Sequence, residues 1–83
     1  MTALLYQGGE PMTLFELEIK LANSDVPNDG YSLTGGLPNE AYCIEASEGK
    51  WYVYYSERGC RTRLKIFDTE KEACEYFFRW VTR

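Results

Sequence analysis

Two short glycine turns, Ser47-Glu48-Gly49-Lys50 and Arg58-Gly59, separate three runs rich in β-branched and aromatic residues, and this spacing constrains the chain more than any other feature. Glycine takes the positive φ that a tight hairpin connection demands, so the runs read as strands of an antiparallel meander. Their expected bounds are Ala41 to Ala46, Lys50 to Glu57 and Arg61 to Phe67. Register follows from asking which pairing places apolar side chains opposite apolar ones, because a one-residue slip turns every side chain to the other face. Pairing Ala46 with Trp51 sets Ile44 opposite Val53 and Tyr42 opposite Tyr55. An unbroken second hairpin then sets Tyr55 opposite Thr62, Val53 opposite Leu64 and Trp51 opposite Ile66. The expected core face is Tyr42, Ile44, Ala46, Trp51, Val53, Tyr55, Leu64 and Ile66. The expected outer face carries Cys43, Glu45, Tyr52, Tyr54, Arg61, Arg63 and Lys65.

A helix start follows the third strand, where Thr69 and Glu72 stand at capping-box spacing and acids fill the first turn, as the helix dipole favours. The helix should run to about Val81, with Ala73, Phe77, Trp80 and Val81 as one stripe and Cys74 and Phe78 beside it. Thr13 to Asn23 supports two readings. Phe15, Leu17, Ile19 and Leu21 alternate with polar residues as in a half-buried strand. A Thr13-x-x-Glu16 capping box, strong helix formers and an apolar arc through Leu14, Leu17 and Leu21 favour a helix. Residues 24–39 are rich in Pro, Gly, Asn and Asp and read as a long ordered connection that Tyr31 and Leu33 pin to the core. Residues 1–12 read as a loosely attached N-terminal arm. The whole is a single α+β domain of 83 residues, a two-layer arrangement of helix, three-stranded antiparallel meander and helix. A chain of this size hides roughly 60–65% of its surface in one modest core.

Composition narrows the function. With no histidine, the commonest general base and metal ligand are missing, and no enzyme constellation or cofactor motif emerges. Three cysteines, Cys43, Cys60 and Cys74, are odd in number and widely spaced, which fits reduced thiols in a cytoplasmic protein better than a disulfide scaffold. Apolar stretches fall far short of the ~20 residues that cross a bilayer, and the first residues lack a basic signal region. Gly35-Gly36-Leu37-Pro38-Asn39 lacks the lysine of a phosphate loop and reads as a turn. Glu18 would lie within the apolar arc of a helical first segment, where burial could raise its pKa, but with no nucleophile beside it a solvated glutamate is the simpler reading.

Charge is segregated. Residues 1–50 hold eight acids and two bases, residues 51–67 one acid and four bases, and the whole chain carries −4. Opposite fields of this kind orient a charged protein partner. On the outer face Tyr54 is expected opposite Arg63 and Tyr52 opposite Lys65. This aromatic-basic surface suits a protein interface, where Tyr and Arg are enriched, or, as an alternative, a nucleic acid stacked on the sheet. Acidic overall charge weakens the second reading. The simplest reading is amphipathic cover for an exposed sheet. Ser56-Glu57-Arg58-Gly59 sets a hydroxyl, a carboxylate and a guanidinium at one hairpin tip, a solvated turn or a point of partner contact.

The runs YSLTGGLPNEAYCIE, KWYVYYSERG and FDTEKEACEYF, spread over Tyr31 to Val81, resemble small α+β immunity proteins found beside bacterial polymorphic toxin genes. The most specific stretches are Trp51-x-Val53-Tyr54-Tyr55-Ser56-Glu57-Arg58-Gly59 and the helix entry from Phe67 to Cys74. The resemblance covers about 50 of the 83 residues, leaving the N-terminal arm outside it. It implies a non-enzymatic cytoplasmic protein that binds and neutralises one cognate toxin domain, in many such systems a nuclease. It also implies two candidate partner surfaces: an acidic one through Asp25, Asp29 and Glu40, and the face formed by Tyr52, Tyr54, Arg61 and Arg63. Independently of the resemblance, the hairpin tip adds Glu57 and Arg58 as points of partner contact.

Overall fold

Thr13 begins the first helix by the reciprocal bonds its sequence promised: its Oγ1 accepts from the Glu16 N–H at 3.2 Å, and Glu16 Oε1 accepts from the Thr13 N–H at 3.2 Å. Satisfying two otherwise orphaned donors is worth on the order of 0.5–2 kcal/mol. The resulting helix α1, Leu14–Ala22, buries Leu17 and Leu21 completely, which resolves the helix-or-strand ambiguity of this segment in favour of helix. Asn23 and Ser24 close it, their side chains donating to the Ile19 and Leu21 carbonyls. Glu18 is exposed.

The computed structural model describes residues 13–82, so the arm expected over residues 1–12 lies outside the described residues. After α1 come strands β1 (Tyr31–Ser32), β2 (Ala41–Ser47), β3 (Lys50–Glu57) and β4 (Cys60–Phe67), then helix α2 (Glu70–Thr82). The described residues form a small α+β fold with two helices and a four-stranded mixed sheet in the order β1-β2-β3-β4. The antiparallel meander therefore has an additional strand, because β1 runs parallel to β2 with Tyr31 beside Tyr42 and Ser32 beside Cys43. Its two residues lie within the segment read as a connection, too short to leave a periodic signal.

Both hairpins close through two-residue turns in which each central residue has positive φ: Glu48 (53°) and Gly49 (80°), then Arg58 (54°) and Gly59 (75°). That geometry matches the strand twist. The first hairpin takes the expected register, with Tyr42 opposite Tyr55, Ile44 opposite Val53 and Ala46 opposite Trp51. Ile44 and Val53 meet Leu17, Leu21, Ala73, Cys74 and Phe77 in one core, all with no exposed surface. Tyr31 and Leu33 pack at its margin.

The two helices run side by side in the same direction. Glu70 Oε2 accepts the Leu14 N–H at 2.9 Å at one end, and Lys20 Nζ lies 5.5 Å from the Phe78 ring centroid further along. Glu70 thus satisfies one of the donors that α1 leaves free in its first turn. Thr69 caps α2 by accepting from the Glu72 N–H at 3.2 Å. Burial among these helices pushes the Cys74 thiol up to about 12, helped by the carboxylates of Glu70, Glu16 and Glu75.

Candidate functional site

The second hairpin departs from its expected register, and the departure makes the site. Glu57 pairs with Cys60, Ser56 with Arg61 and Tyr55 with Thr62, but then Val53 faces Lys65, Tyr52 faces Ile66 and Trp51 faces Phe67. The slip falls between Val53 and Tyr55, where Arg63 takes φ 57° and two residues of β4 oppose one of β3. This is a β-bulge. The expected pairs Val53 with Leu64 and Trp51 with Ile66 are therefore corrected by one residue. Aromatic packing goes with the new register: Phe67 now reaches Tyr76 on α2, with ring centroids 5.4 Å apart. In exchange, Leu64 and Ile66 leave the core face and stand 43% and 54% exposed.

The bulge also divides the cations. Arg61 stays on the outer face, 4.8 Å from the Tyr54 ring centroid and 5.9 Å from that of Tyr52. Arg63 instead lines a hollow on the helix side with Tyr42, Tyr55, Trp80 and Val81. The expected Tyr54–Arg63 and Tyr52–Lys65 pairs are thus replaced by one arginine against both tyrosines.

Around Cys43, Tyr54 and Ser56 of β2 and β3 the outer face is closed. Parallel strands need a crossover on one side of the sheet, and here residues 33–40 connect β1 to β2 across the face opposite the helices, which already fill the other side. Ser32 Oγ donates to the Gly35 carbonyl at 2.8 Å, and Ser56 Oγ donates to the Pro38 carbonyl at 2.5 Å. The crossover turns through left-handed residues at Gly35, Gly36, Leu37 and Glu40. Gly35 passes so near the sheet that a Cβ there would stand 1.8 Å from Glu45 Oε1. Beneath this cover Cys43, Tyr54 and Ser56 have no exposed surface.

Tyr54 therefore points to the outer face as expected but does not reach solvent. Its hydroxyl donates to Glu45 Oε1 at 2.8 Å, while Arg61 Nη2 donates to Glu45 Oε2 at 2.9 Å. Each carboxylate oxygen thus has a partner, one sealed and one at the rim. Burial, then the hydrogen bond to Glu45, raises the Tyr54 pKa well above the usual phenol range. Burial also pushes the Cys43 thiol up. A closed Tyr54 cannot serve as a stacking platform for a nucleic-acid base, which removes the centre of the expected aromatic-basic surface.

At the hairpin tip the Ser56, Glu57 and Arg58 set is split, since Ser56 is turned under the crossover while Glu57 and Arg58 stay exposed. Asn39 Oδ1 accepts from the Arg58 N–H at 3.4 Å. Glu40 lies close enough to this end to act, with Glu57 and after desolvation, in raising the Tyr55 pKa. Asp25 and Asp29 are exposed in the connection between α1 and β1. Among the described residues no cluster of three or more His, Cys, Asp or Glu side chains is placed to hold a metal, and no helix is long and apolar enough to cross a membrane.

Three residues expected on the core face are exposed: Ala46, beside the first turn, and Leu64 and Ile66, displaced by the bulge. A usable signal was parity. Facing Trp51 with the aromatic Phe67 while keeping Tyr55 opposite Thr62 requires an extra residue between them.

No family model, curated protein or solved structure matches the chain.

Proposed function

We propose that the chain is a non-enzymatic binding protein that neutralises a cognate bacterial toxin domain, a nuclease in the sharpest form of this reading. The observation that carries it is the open half of the outer sheet face. Leu64 and Ile66, 43% and 54% exposed, flank a half-buried Tyr52, with the guanidinium of Arg61 at the rim. Exposed apolar surface beside Tyr and Arg on a rigid sheet is the composition of a protein interface. The motif resemblance over Tyr31 to Val81 supplies the class of partner. Asp25 and Asp29 before β1 and Glu40 after it are exposed acids suited to the basic cleft of a nuclease, and the two-signed charge distribution would steer such a partner into one orientation.

The test is co-expression with the polypeptide encoded immediately upstream, followed by affinity capture. Capture of that polypeptide, weakened at least about tenfold by Leu64→Glu with Ile66→Glu while the unfolding midpoint stays unchanged, supports the reading. No binding at micromolar concentration overturns it.

A further inference from the structure

The two edges of the sheet differ. β1 presents two residues, whereas β4 presents eight, Cys60–Phe67, and no described residue pairs with its outer side. The N–H and C=O groups of β4 that do not face β3 are consequently available to another strand. Beside this edge, on the helix side, three neighbouring hollows share Tyr76, Arg79 and Trp80 in their linings and mark out a trough along α2, the outer two reaching β4. Phe67 lies at one end and Arg63 at the other. An added strand would direct alternate side chains into this trough, onto aromatic rings already set by their contacts: Tyr76 lies 5.8 Å from Trp80 and Trp80 lies 4.7 Å from Tyr42.

Charge identifies the occupant. At the Phe67 end of the trough Glu75 is paired with Lys71 and Asp68 with Lys50, while Glu72 has no ion-pair partner among the described residues, so the free cations gather along β4 and toward the Arg63 end. Arg63, Lys65 and Arg79 have no ion-pair partner among the described residues. A second copy would bring Arg61, Arg63 and Lys65 of one β4 against the same cations of another, and like charges across a strand pair are destabilising. The Arg63 bulge also twists the edge, a feature that discourages indiscriminate pairing.

We propose that the open edge of β4 receives an extended, acid-bearing segment of the partner protein as a fifth strand, with its alternate side chains seated in the trough. This deepens the binding-protein reading, on which it rests. Main-chain hydrogen bonds supply attachment and the trough supplies side-chain selection. Unpaired cations along β4 favour acids at intervals in the incoming strand.

The test uses the full 83-residue chain, labelled with ¹⁵N, and three synthetic peptides matched to β4 in length: one alternating glutamate with valine, its lysine counterpart, and the glutamate peptide N-methylated at alternate residues. At saturation the unmodified glutamate peptide should slow exchange of the outward-facing amides within Cys60–Phe67 by about tenfold or more, and the other two should leave it unchanged. Equal slowing by the lysine or N-methylated peptide, or no slowing by any, would overturn the proposal. Slow exchange of the outward β4 amides in the free chain would overturn it as well, because the edge would already be occupied. The peptides carry no toxin sequence, so this result and the capture of the upstream polypeptide stand or fall separately.

Discussion

One face of one sheet behaves in two ways. Around Cys43, Tyr54 and Ser56 of β2 and β3 it is sealed by the crossover, and those three residues have no exposed surface; over β4 it is open, and Leu64 and Ile66 are 43% and 54% exposed. The sealed half is the more polar one, held by Tyr54 and Arg61 on the two oxygens of Glu45, while the open half is apolar. Polarity alone therefore does not sort what faces water here. A two-residue parallel strand obliges the following loop to cross the sheet, and a single left-handed arginine turns two aliphatic side chains outward. The sealed half stabilises the fold, and the open half is left facing solvent.

The contrast is sharpest in substitution energies. Tyr54→Ala should lose about 3–5 kcal/mol, the range for truncating a buried aromatic side chain, read as a fall in the denaturant midpoint. A loss below about 1 kcal/mol would mean that the crossover does not seal this half. Next comes Gly35→Ala. The new Cβ would meet Glu45 Oε1 at 1.8 Å and Cδ at 2.8 Å, at a backbone φ of +74°. Glu45 could yield only by giving up its bonds to Tyr54 and Arg61, so about 1–3 kcal/mol should be lost.

A smaller effect separates the halves by pH. Cys43 and Tyr54 keep their protons to higher pH in the folded chain than in the unfolded one. The stability their neutral forms contribute is whole below the unfolded thiol value of 9.0 and declines as pH rises past it, with Tyr54 joining above 10.0. Cys74, pushed up to about 12, adds to the same decline from the helix side. In alkaline melts Tyr54→Phe should flatten the portion above pH 10.0, and an equally steep decline in that variant would contradict the assignment. The smallest effect belongs to the open half: Ile66→Ser should change stability by no more than about 0.5 kcal/mol. A loss of several kcal/mol would place Ile66 in the core.

How much of this could be read from the residues alone depends on whether a local signal exists. Both helices were legible because Thr13 with Glu16 and Thr69 with Glu72 mark their starts and apolar spacing marks their inner faces. The first hairpin was legible because Glu48-Gly49 fixes the turn and one register alone satisfies both strands. β4 was legible only as far as Thr62. Its bulge uses arginine where glycine would have announced positive φ, and Leu64 and Ile66 carry an alternating pattern that fits the unbroken register as a core strand. The apolar pattern was correct as a pattern and misplaced by one residue. The crossover was recognised as an ordered segment, but its cover over Tyr54 depends on β1, whose two residues have no periodicity to detect. Tyr52 and Arg61 retained their outer-face positions, Tyr54 was oriented correctly but buried, and Arg63 moved to the helix side.

Side-chain exposure along β4 decides the matter most directly. A soluble paramagnetic relaxation agent, added to the 83-residue chain with ¹³C-labelled methyl groups, should broaden Leu64 and Ile66 strongly while sparing Ile44 and Val53, which have no exposed surface. Leu64 and Ile66 shielded to the same degree as Ile44 and Val53 would contradict the Arg63 bulge and close the open half of the sheet.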